Sequence, residues 1–308
     1  MSASYVMGVD GGGSGVRAVI VTPSLDVVGE GHGTTANPGV VGLEQAERNI
    51  QTAMRAALEA AALPPEAVRA IGLGIAGASI YHYNAADWLR KVARGVLPQA
   101  HVVPSSDFEI ALVGALGKRL GLLVLAGTGS LAYGVNAAGE AALVGGWGYL
   151  LDDAGSGYWL GLHGLRAVVH ADDGQGPPTA LSQRLLGALE LARPRDLVLW
   201  LYRAEKPRTR AIAALAPLVL DAAAEGDHVA AKLVAEACDT LTRLAYVAMR
   251  RLAFRQPPIA FAGGLLRAAN PLSTCLCAAL GLDTLPQPRY TPAVGAALLA
   301  QHTLGADL

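Results

Sequence analysis

Two stretches of this sequence share one unusual arrangement, in which two apolar runs are separated by a turn made largely of glycine. The first is VMGVDGGGSGVRAVI, starting at residue 6, and the second is GLLVLAGTGSLAYGV, starting at residue 121. Apolar runs rich in β-branched residues on both sides of a glycine turn predict paired strands. Because the stretches match in length and start about 115 residues apart, they predict a duplicated architecture instead of a short-period repeat.

Helical and strand patterns alternate after the first hairpin, which predicts an α/β domain with a largely parallel central sheet. The second half is predicted to be mainly helical, with one short buried strand and a closing helix. We place the domain boundary near residue 115, which gives domains 1–114 and 115–308. The predicted elements are helices at 43–62, 84–95 and 107–117, strands at 68–75 and 100–103, a helical region at 156–254, a strand within 257–264 and a helix from about 292.

Composition narrows the partners that this chain is expected to have. Its 308 residues suit about two domains, and its formal net charge of -1 lacks the basic surplus that nucleic-acid binding requires. No apolar run approaches the ~18 residues that span a bilayer, and the start resembles no signal peptide. Three cysteines, Cys238, Cys275 and Cys277, argue against a disulfide scaffold and favour a reducing compartment. We therefore expect a cytoplasmic protein with small-molecule partners and neither nucleic acid nor membrane.

Known phosphate-binding motifs do not explain the glycine turns. A P-loop is excluded because the first turn contains no lysine. The dinucleotide-binding spacing G-x-G-x-x-G occurs in GLGIAG, at Gly72, Gly74 and Gly77, but no clear helix opens there. The next acidic residue after a strand, Asp107, lies about thirty residues on instead of the usual ~20. Nucleotide binding and a need for close backbone approach both remain open for this motif.

The first turn has the composition of an anion-binding loop. Glycine lets several backbone N–H groups converge on an anion, and Gly11, Gly12 and Gly13 are followed by the hydroxyl of Ser14. Asp10, at the end of the first strand, can hold a Mg²⁺ ion that bridges phosphate oxygens, directly or through water. An ordinary glycine hairpin is the alternative for this turn taken alone.

The second turn repeats this composition in the second domain. Gly127, Thr128, Gly129 and Ser130 again combine glycines with hydroxyl side chains. Two such turns, one from each domain, are suited to clamp a polyphosphate, which makes two unrelated hairpins the weaker interpretation.

Together these turns resemble the sugar kinase, actin and heat-shock ATPase superfamily. The resemblance implies a two-domain actin-like ATPase (ribonuclease H-like) α/β fold with duplicated mixed sheets flanked by helices. AFAGGLL at 260–266 matches the superfamily's adenosine-facing element, with Gly263 and Gly264 after a buried strand. GGWGYLLDDAGSGYWLG, LYRAEKPRTRAIAALAPLVLDAAAEGD and TPAVGAALLA further resemble the N-acetylglucosamine kinases and the BadF/BadG/BcrA/BcrD ATPase family, so the likeness spans the chain.

This family resemblance assigns roles to individual positions. Asp107 matches the aspartate that takes the proton from the sugar hydroxyl, although a helix N-cap is its simpler interpretation. Trp147 has core packing as an equal alternative, and Asp152 competes with Asp153. The implied sugar contacts are Asn37, Asp107, Gly146, Trp147, Gly148 and Asp153; the implied ATP contacts are Gly11, Gly12, Gly13, Ser14, Gly127, Thr128, Gly129, Ser130, Gly263 and Gly264, with Asp10 for magnesium.

The implied activity is ATP- and Mg²⁺-dependent phosphorylation of the 6-hydroxyl of an amino sugar by a homodimer. N-Acetyl-D-glucosamine is the first substrate, and glucosamine, N-acetylmuramate or a non-catalytic sugar or nucleotide sensor are the alternatives. No cysteine precedes Cys238. This argues against two related groups that need cysteines: the dehydratase and benzoyl-CoA reductase activators, which hold an iron–sulfur cluster, and the ROK sugar kinases, which hold zinc. Gly15 stands where relatives tend to carry a cation, and whether Arg17 replaces that cation is left open by the sequence.

Overall fold

A computed structural model describes residues 5–13, 15–78, 84–203 and 208–306 of the chain. The chain forms two compact units, Met1–Gly121 with Pro288–Leu308, and Leu122–Gln287. Each unit has one mixed sheet with helices against it, as the sequence predicted. Ser14 lies outside the described residues, and so does its predicted contact with phosphate.

The first unit is built on a five-stranded sheet in the order β3-β2-β1-β4-β5. Strands β1, β2 and β3 form an antiparallel meander, whereas β4 and β5 run parallel to β1. The strands are β1 Tyr5–Gly11, β2 Val16–Val21, β3 Val27–Gly33, β4 Val68–Ile75 and β5 His101–Ser105. The helices are α1 Pro38–Val41, α2 Leu43–Ala61, α3 Ala85–Arg94, α4 Asp107–Leu116 and α12 Pro292–Ala306, the last at the end of the chain.

Helix α2 lies directly against strand β3. The sequence pattern did not predict this strand. The strand reads VVGEGHG, and its glycines allow the two backbones to approach closely. A β-carbon added to Gly29 would lie 2.4 Å from the Ala57 carbonyl oxygen, and one at Gly31 would lie 2.1 Å from that of Ala53. These glycines lower the strand propensity of the sequence while making the packing possible, because a side chain would separate helix and sheet.

The closing helix α12 belongs to the first unit, which differs from the predicted second domain of 115–308. It packs on β1 and β4, where glycines again permit contact. A β-carbon at Gly8 would lie 1.9 Å from the Ala293 carbonyl oxygen, and one at Gly72 would lie 2.0 Å from that of Ala296. Sequence order put this helix in the second half, but its buried small and branched residues complete the core of the first.

The GLGIAG motif is explained by this packing. Gly72 and Gly74 lie inside strand β4 instead of a turn, and a β-carbon at Gly74 would lie 2.7 Å from the Ser106 carbonyl oxygen. At Gly77, which has a φ of +80°, it would lie 2.8 Å from the Asn37 side-chain oxygen. Close backbone approach therefore explains Gly72 and Gly74, whereas Gly77 is explained by its positive φ and by the Asn37 side chain beside it. The motif does not form a dinucleotide-binding turn.

The second unit has a four-stranded sheet in the order β8-β7-β6-β9, with β9 parallel to β6 and β8 antiparallel to β7. Its strands are β6 Gly121–Ala126, β7 Ser130–Val135, β8 Ala141–Gly145 and β9 Ile259–Ala262. Its helices are α5 Gly157–Asp172, α6 Leu181–Ala188, α7 Leu197–Tyr202, α8 Thr209–Ala213, α9 Ala216–Ala224, α10 His228–Arg251 and α11 Pro271–Ala279. The predicted helical region and the short strand after it are both confirmed.

Helices α10 and α11 are joined by a disulfide between Cys238 and Cys275, while Cys277 is a buried free thiol. The count of three cysteines did not predict this bond, because 37 residues separate the pair and only the packing of the two helices brings them together. Among the helices described, none has both the length and the hydropathy needed to cross a bilayer.

Candidate functional site

The first glycine turn joins β1 to β2 and is supported from the segment after β3. The Gly12 N–H donates to the Gly15 carbonyl oxygen at 2.9 Å, which closes the turn. The Gly12 carbonyl oxygen in turn accepts from the Thr35 hydroxyl at 2.9 Å. No heavy atom lies within 4 Å of a β-carbon added to Gly12 or Gly13. The turn therefore has open space at the β-carbon positions of Gly12 and Gly13.

A polar chain runs from helix α2 to this turn and to Asn37. The Asn49 side-chain amide donates to the Thr35 carbonyl oxygen at 2.7 Å and accepts from the Gln45 side chain at 2.8 Å. The Asn37 N–H donates to the Thr35 hydroxyl at 3.3 Å. Sequence reasoning missed Thr35, Asn49 and Gln45 because each looks like an ordinary polar position. A polar residue on the buried face of an apolar helix, as at Asn49, is the signal that could have found them.

Asn37 itself is the N-cap of the short helix α1. Its side-chain oxygen accepts from the Gly39 N–H at 2.9 Å, and Gly77 provides the space beside it. The side-chain nitrogen of an asparagine held in this way is left to donate to a ligand. The predicted sugar contact stays a prediction, and the cap gives Asn37 a fixed orientation.

Parallel strands place the predicted acidic residues at one edge of the first sheet. Asp10 on β1 is in register with Gly74 on β4, and Gly74 with Ser105 on β5. At the usual spacing of ~4.8 Å between strands, the backbones of Asp10 and Ser105 lie roughly 10 Å apart. Asp107 follows Ser105 by two residues, so the magnesium candidate, the proton-accepting candidate and the first glycine turn share this edge.

Asp107 is the first residue of α4, and it is not the cap of that helix. Ser106 fills the N-cap position and accepts from the Glu109 N–H at 3.1 Å. Burial raises the pKa of Asp107 above its ordinary value, and hydrogen bonds from its own N–H and that of Phe108 oppose this. A carboxyl group with a raised pKa is a better proton acceptor than an exposed aspartate, because its basicity is higher.

Arg17 is engaged by its own sheet. It lies opposite Asp10 in the antiparallel register, and its Nε and Nη2 atoms each lie 2.7 Å from a Glu30 carboxylate oxygen. The His32 Nε2 atom lies 2.8 Å from the same carboxylate. The Arg17 hydrogen bond lowers the pKa of Glu30 and burial opposes that shift. Arg17 is therefore ion-paired with Glu30 within its own sheet.

Asp10 fits a magnesium site in the chemistry of its donor atom. It borders a cavity of about 240 Å³ that Arg17, His32 and Gly33 also line, next to the first turn. Carboxylate oxygen is the ligand type that Mg²⁺ prefers, and this ion commonly takes one or two carboxylates with water and substrate phosphates. Across the described ranges, no group of three or more His, Cys, Asp or Glu residues could hold a metal ion.

The second glycine turn, between β6 and β7, is enclosed by neighbouring backbone. Gly263 follows β9, which runs beside β6, and a β-carbon at Gly263 would lie 2.2 Å from the Ala126 carbonyl oxygen. The Gly157 N–H, at the start of α5, donates to the Gly127 carbonyl oxygen at 2.7 Å. Thr128 is exposed at the tip. The second unit thus brings together the predicted phosphate turn and the predicted adenosine element.

Asp153 and Ser130 support this turn from inside. Asp153 is only 7% exposed, has a φ of +58°, and accepts from the Ser130 N–H at 3.4 Å. Ser130 is 2% exposed, and its hydroxyl donates to the Ala154 carbonyl oxygen at 2.9 Å. Burial raises the pKa of Asp153, the Ser130 N–H lowers it, and the charge of Asp152 raises it further. Both donors of Ser130 are therefore used within the unit, and the half-buried Asp152 is the more accessible of the two aspartates.

The loop after β8 presents an exposed tryptophan. Trp147 is 72% exposed, which excludes the core-packing interpretation. It stands between Gly146 and Gly148, whose φ values of +73° and +87° favour glycine. A T-shaped contact between Tyr149 and Tyr158, with ring centroids 5.0 Å apart, ties this loop to α5.

Nearly the whole chain is similar to one protein family. Residues 7–300 match the model of the BadF/BadG/BcrA/BcrD ATPase family. The chain belongs to this family. In this sequence all three cysteines follow residue 237, and the first glycine turn contains no lysine.

Individual relatives place it more narrowly. An N-acetylmuramic acid/N-acetylglucosamine kinase of Clostridium acetobutylicum is 31% identical over 270 residues, covering 87% of each chain. An N-acetyl-D-glucosamine kinase of Dictyostelium discoideum is 33% identical over 207 residues, covering 64% of this chain and 65% of its own. The crystal structure of a candidate N-acetylglucosamine kinase from Chromobacterium violaceum superposes with a TM-score of 0.77 at 29% identity, covering 97% and 99% of the two chains.

Proposed function

We propose that this protein transfers the γ-phosphoryl group of ATP to the 6-hydroxyl of an amino sugar, with N-acetyl-D-glucosamine as the first substrate. The single observation that carries the proposal is the position of Asp107. This partly buried carboxyl group has a raised pKa and lies at the same sheet edge as the open glycine turn and Asp10. The names of the relatives support the substrate class. Glucosamine and N-acetylmuramate are the alternative substrates.

Asp107 acts as the general base in this proposal. A sugar hydroxyl is a weak nucleophile, and a carboxylate within hydrogen-bond reach orients it and accepts its proton as the phosphoryl group moves in line. The proton goes from the 6-hydroxyl to the Asp107 carboxylate, and a bond forms between the sugar O6 atom and the γ-phosphorus. The bond between the γ-phosphorus and the β,γ-bridging oxygen breaks, and ADP leaves with that oxygen. The raised pKa of Asp107 favours acceptance of the proton at this step.

The remaining residues bind and orient the two substrates. In this proposal the first turn, at Gly11, Gly12 and Gly13, and the second turn, at Gly127 and Gly129, lie beside the ATP phosphates. Thr128 adds an exposed hydroxyl, and Gly263 and Gly264 face the adenosine. Asp10 would hold Mg²⁺, which when bound neutralises phosphate charge. Asn37 donates to a sugar hydroxyl, and Trp147 offers an apolar ring face to the sugar. Asp153 and Ser130 act as positioning residues for the second turn.

A coupled assay of ADP release over a panel of amino sugars tests the proposal. Asp107→Asn should lower kcat by about 10²–10⁴-fold, the range for removing a general base. Asp239→Asn, at an exposed aspartate on α10, is the matched control and should leave kcat unchanged. No sugar-dependent turnover by the parent contradicts the kinase assignment, and sugar binding without turnover favours the sensor.

The dependence of kcat/KM on pH tests the base separately. Asp107 must be ionised to accept a proton, so activity is lost as the pH falls through its pKa. Because burial raises that pKa, the acid limb should lie at higher pH than an ordinary aspartate would give. An acid limb at or below the ordinary aspartate value contradicts this role for Asp107.

We further propose that the protein is a cytoplasmic homodimer. Light scattering on the purified protein measures the mass in solution, and a monomer at working concentrations contradicts the dimer.

A further inference from the structure

A basic cavity of about 570 Å³ lies in the first unit, lined in part by Arg69, Arg90, Arg94 and His101. Its volume falls within the range of about 300–1,000 Å³ that is usual for small-molecule sites. Arg69 follows the first residue of β4, Arg90 and Arg94 lie on α3, and His101 begins β5. Basic side chains from three separate elements thus converge on one concave surface.

This cavity is remote from the proposed active edge. It lies where β4 and β5 begin, whereas Asp10, Asp107 and the glycine turn lie where the parallel strands end. The six residue steps from Arg69 to the end of β4 span roughly 20 Å at ~3.3 Å per residue. The cavity is therefore separate from the ATP and sugar contacts proposed above.

The positive charge in this cavity is largely uncompensated. Arg90 is paired with Asp87 at 2.9 Å, and Asp87 also accepts from Asn84. Arg69 and Arg94 form no ion pair within the described part of the chain. The formal net charge of -1 means that the protein has carboxylates enough to neutralise them, yet none among the residues that the structure describes is paired with either guanidinium group. Two unpaired guanidinium groups in a cavity favour an anion of matching charge.

We propose that this cavity binds a phosphorylated small molecule through Arg69 and Arg94. A phosphomonoester carries a charge of about -1.5 to -2 near neutral pH and three acceptor oxygens, which matches two guanidinium groups. The Gln99 side chain and the His101 ring lie in the same lining and offer polar contacts to the rest of the molecule. Leu304, on α12, adds an apolar contact.

Calorimetric titration at low ionic strength tests this site with three probes: inorganic phosphate, glycerol 3-phosphate and uncharged glycerol. The first two should bind and glycerol should not. Arg69→Gln with Arg94→Gln should weaken binding about 100-fold, since each hydrogen bond to a charged group contributes on the order of tenfold. Arg195→Gln with Arg255→Gln removes two exposed arginines of the second unit and should leave the binding constant unchanged.

Nuclear magnetic resonance of the unmodified protein locates the bound anion without any variant. Addition of phosphate should shift the backbone amide signals of Gln99, His101 and Val102. Equal weakening by both double variants, or the absence of shifts at these amides, overturns the proposal. Should the double variant fail to fold, Arg94→Gln alone should weaken binding about tenfold, and unchanged binding by it counts against the site.

Discussion

The first unit supports its glycine turn from one side and leaves the other side open, whereas the second unit surrounds its turn with backbone. In the first, the Gly12 carbonyl oxygen accepts a hydrogen bond from the Thr35 hydroxyl, and a β-carbon added to Gly12 would meet no heavy atom within 4 Å. In the second, Gly263 touches Ala126 and Asp153 touches Gly129. Glycine therefore has two uses in one sequence pattern: access for a ligand in the first turn, and close packing in the second.

The largest expected effect is on the enclosed turn. Gly263 has φ +87° and ψ 156°, a region that is nearly restricted to glycine, and a β-carbon there would clash with the Ala126 carbonyl oxygen. Gly263→Ala should lower the free energy of unfolding by roughly 2–6 kcal/mol, from backbone strain and overpacking together. Urea denaturation followed by circular dichroism measures the loss.

Gly264→Ala is the matched control for this change. A β-carbon at Gly264 meets no heavy atom within 4 Å, so the variant should stay within about 0.5 kcal/mol of the parent. Equal loss in the two neighbouring variants would show that the second turn is not enclosed as described.

The second largest effect is expected from the disulfide. It distinguishes the two units, since all three cysteines lie in the second unit. Reducing the Cys238–Cys275 bond should lower the free energy of unfolding by roughly 2–4 kcal/mol, through loss of a constraint on the unfolded chain. Urea denaturation with and without reductant measures this. Cys277→Ala, which leaves the bond intact, should keep the dependence on reductant, and a parent protein that is indifferent to reductant contradicts the bond in solution.

Sequence patterns predicted most of the helices and strands. They failed where one residue type serves two purposes. The helix predicted at 43–62 and the strand at 68–75 are observed at Leu43–Ala61 and Val68–Ile75, because their apolar periodicity reflects burial directly. Strand β3 was missed because its glycines, which lower strand propensity, are required by helix α2. The unit to which α12 belongs was missed because sequence order carries no information about which sheet a terminal helix covers.

The candidate site likewise contains residues that the sequence predicted and residues that it did not. The glycine turns and Asp10 were found from residue type and position after a strand, and Asp107 from the family resemblance. Strand register then placed Asp10 and Asp107 at one edge of the sheet. Thr35 was not found, because a hydrogen bond between residues fourteen positions apart leaves no pattern at Thr35 itself. The only local signal was Asn49, a polar residue on the buried face of helix α2. The inward role of Ser130 was also hidden, since an exposed and a buried hydroxyl look alike in sequence.

A smaller effect is expected from the support of the open turn. Thr35→Val removes the hydroxyl that donates to the Gly12 carbonyl oxygen and should cost about 1 kcal/mol of folding free energy. If the turn contacts ATP, the KM for ATP should rise while kcat changes little. Thr34→Val, at the exposed neighbouring threonine, is the control and should change neither quantity. A variant at Thr35 that matches this control in both measurements contradicts the supporting role.

The smallest effect on folding is expected at Gly12, where the comparison between the turns is sharpest. A β-carbon there meets open space, so Gly12→Ala should change the free energy of unfolding by less than about 0.5 kcal/mol. The same methyl group occupies the side from which a phosphate would approach the backbone, so the KM for ATP should rise despite intact folding. Thermal denaturation and initial-rate kinetics on one preparation separate the two quantities. A large loss of stability would mean that the first turn is enclosed like the second, and an unchanged KM would mean that its open space does not face ATP.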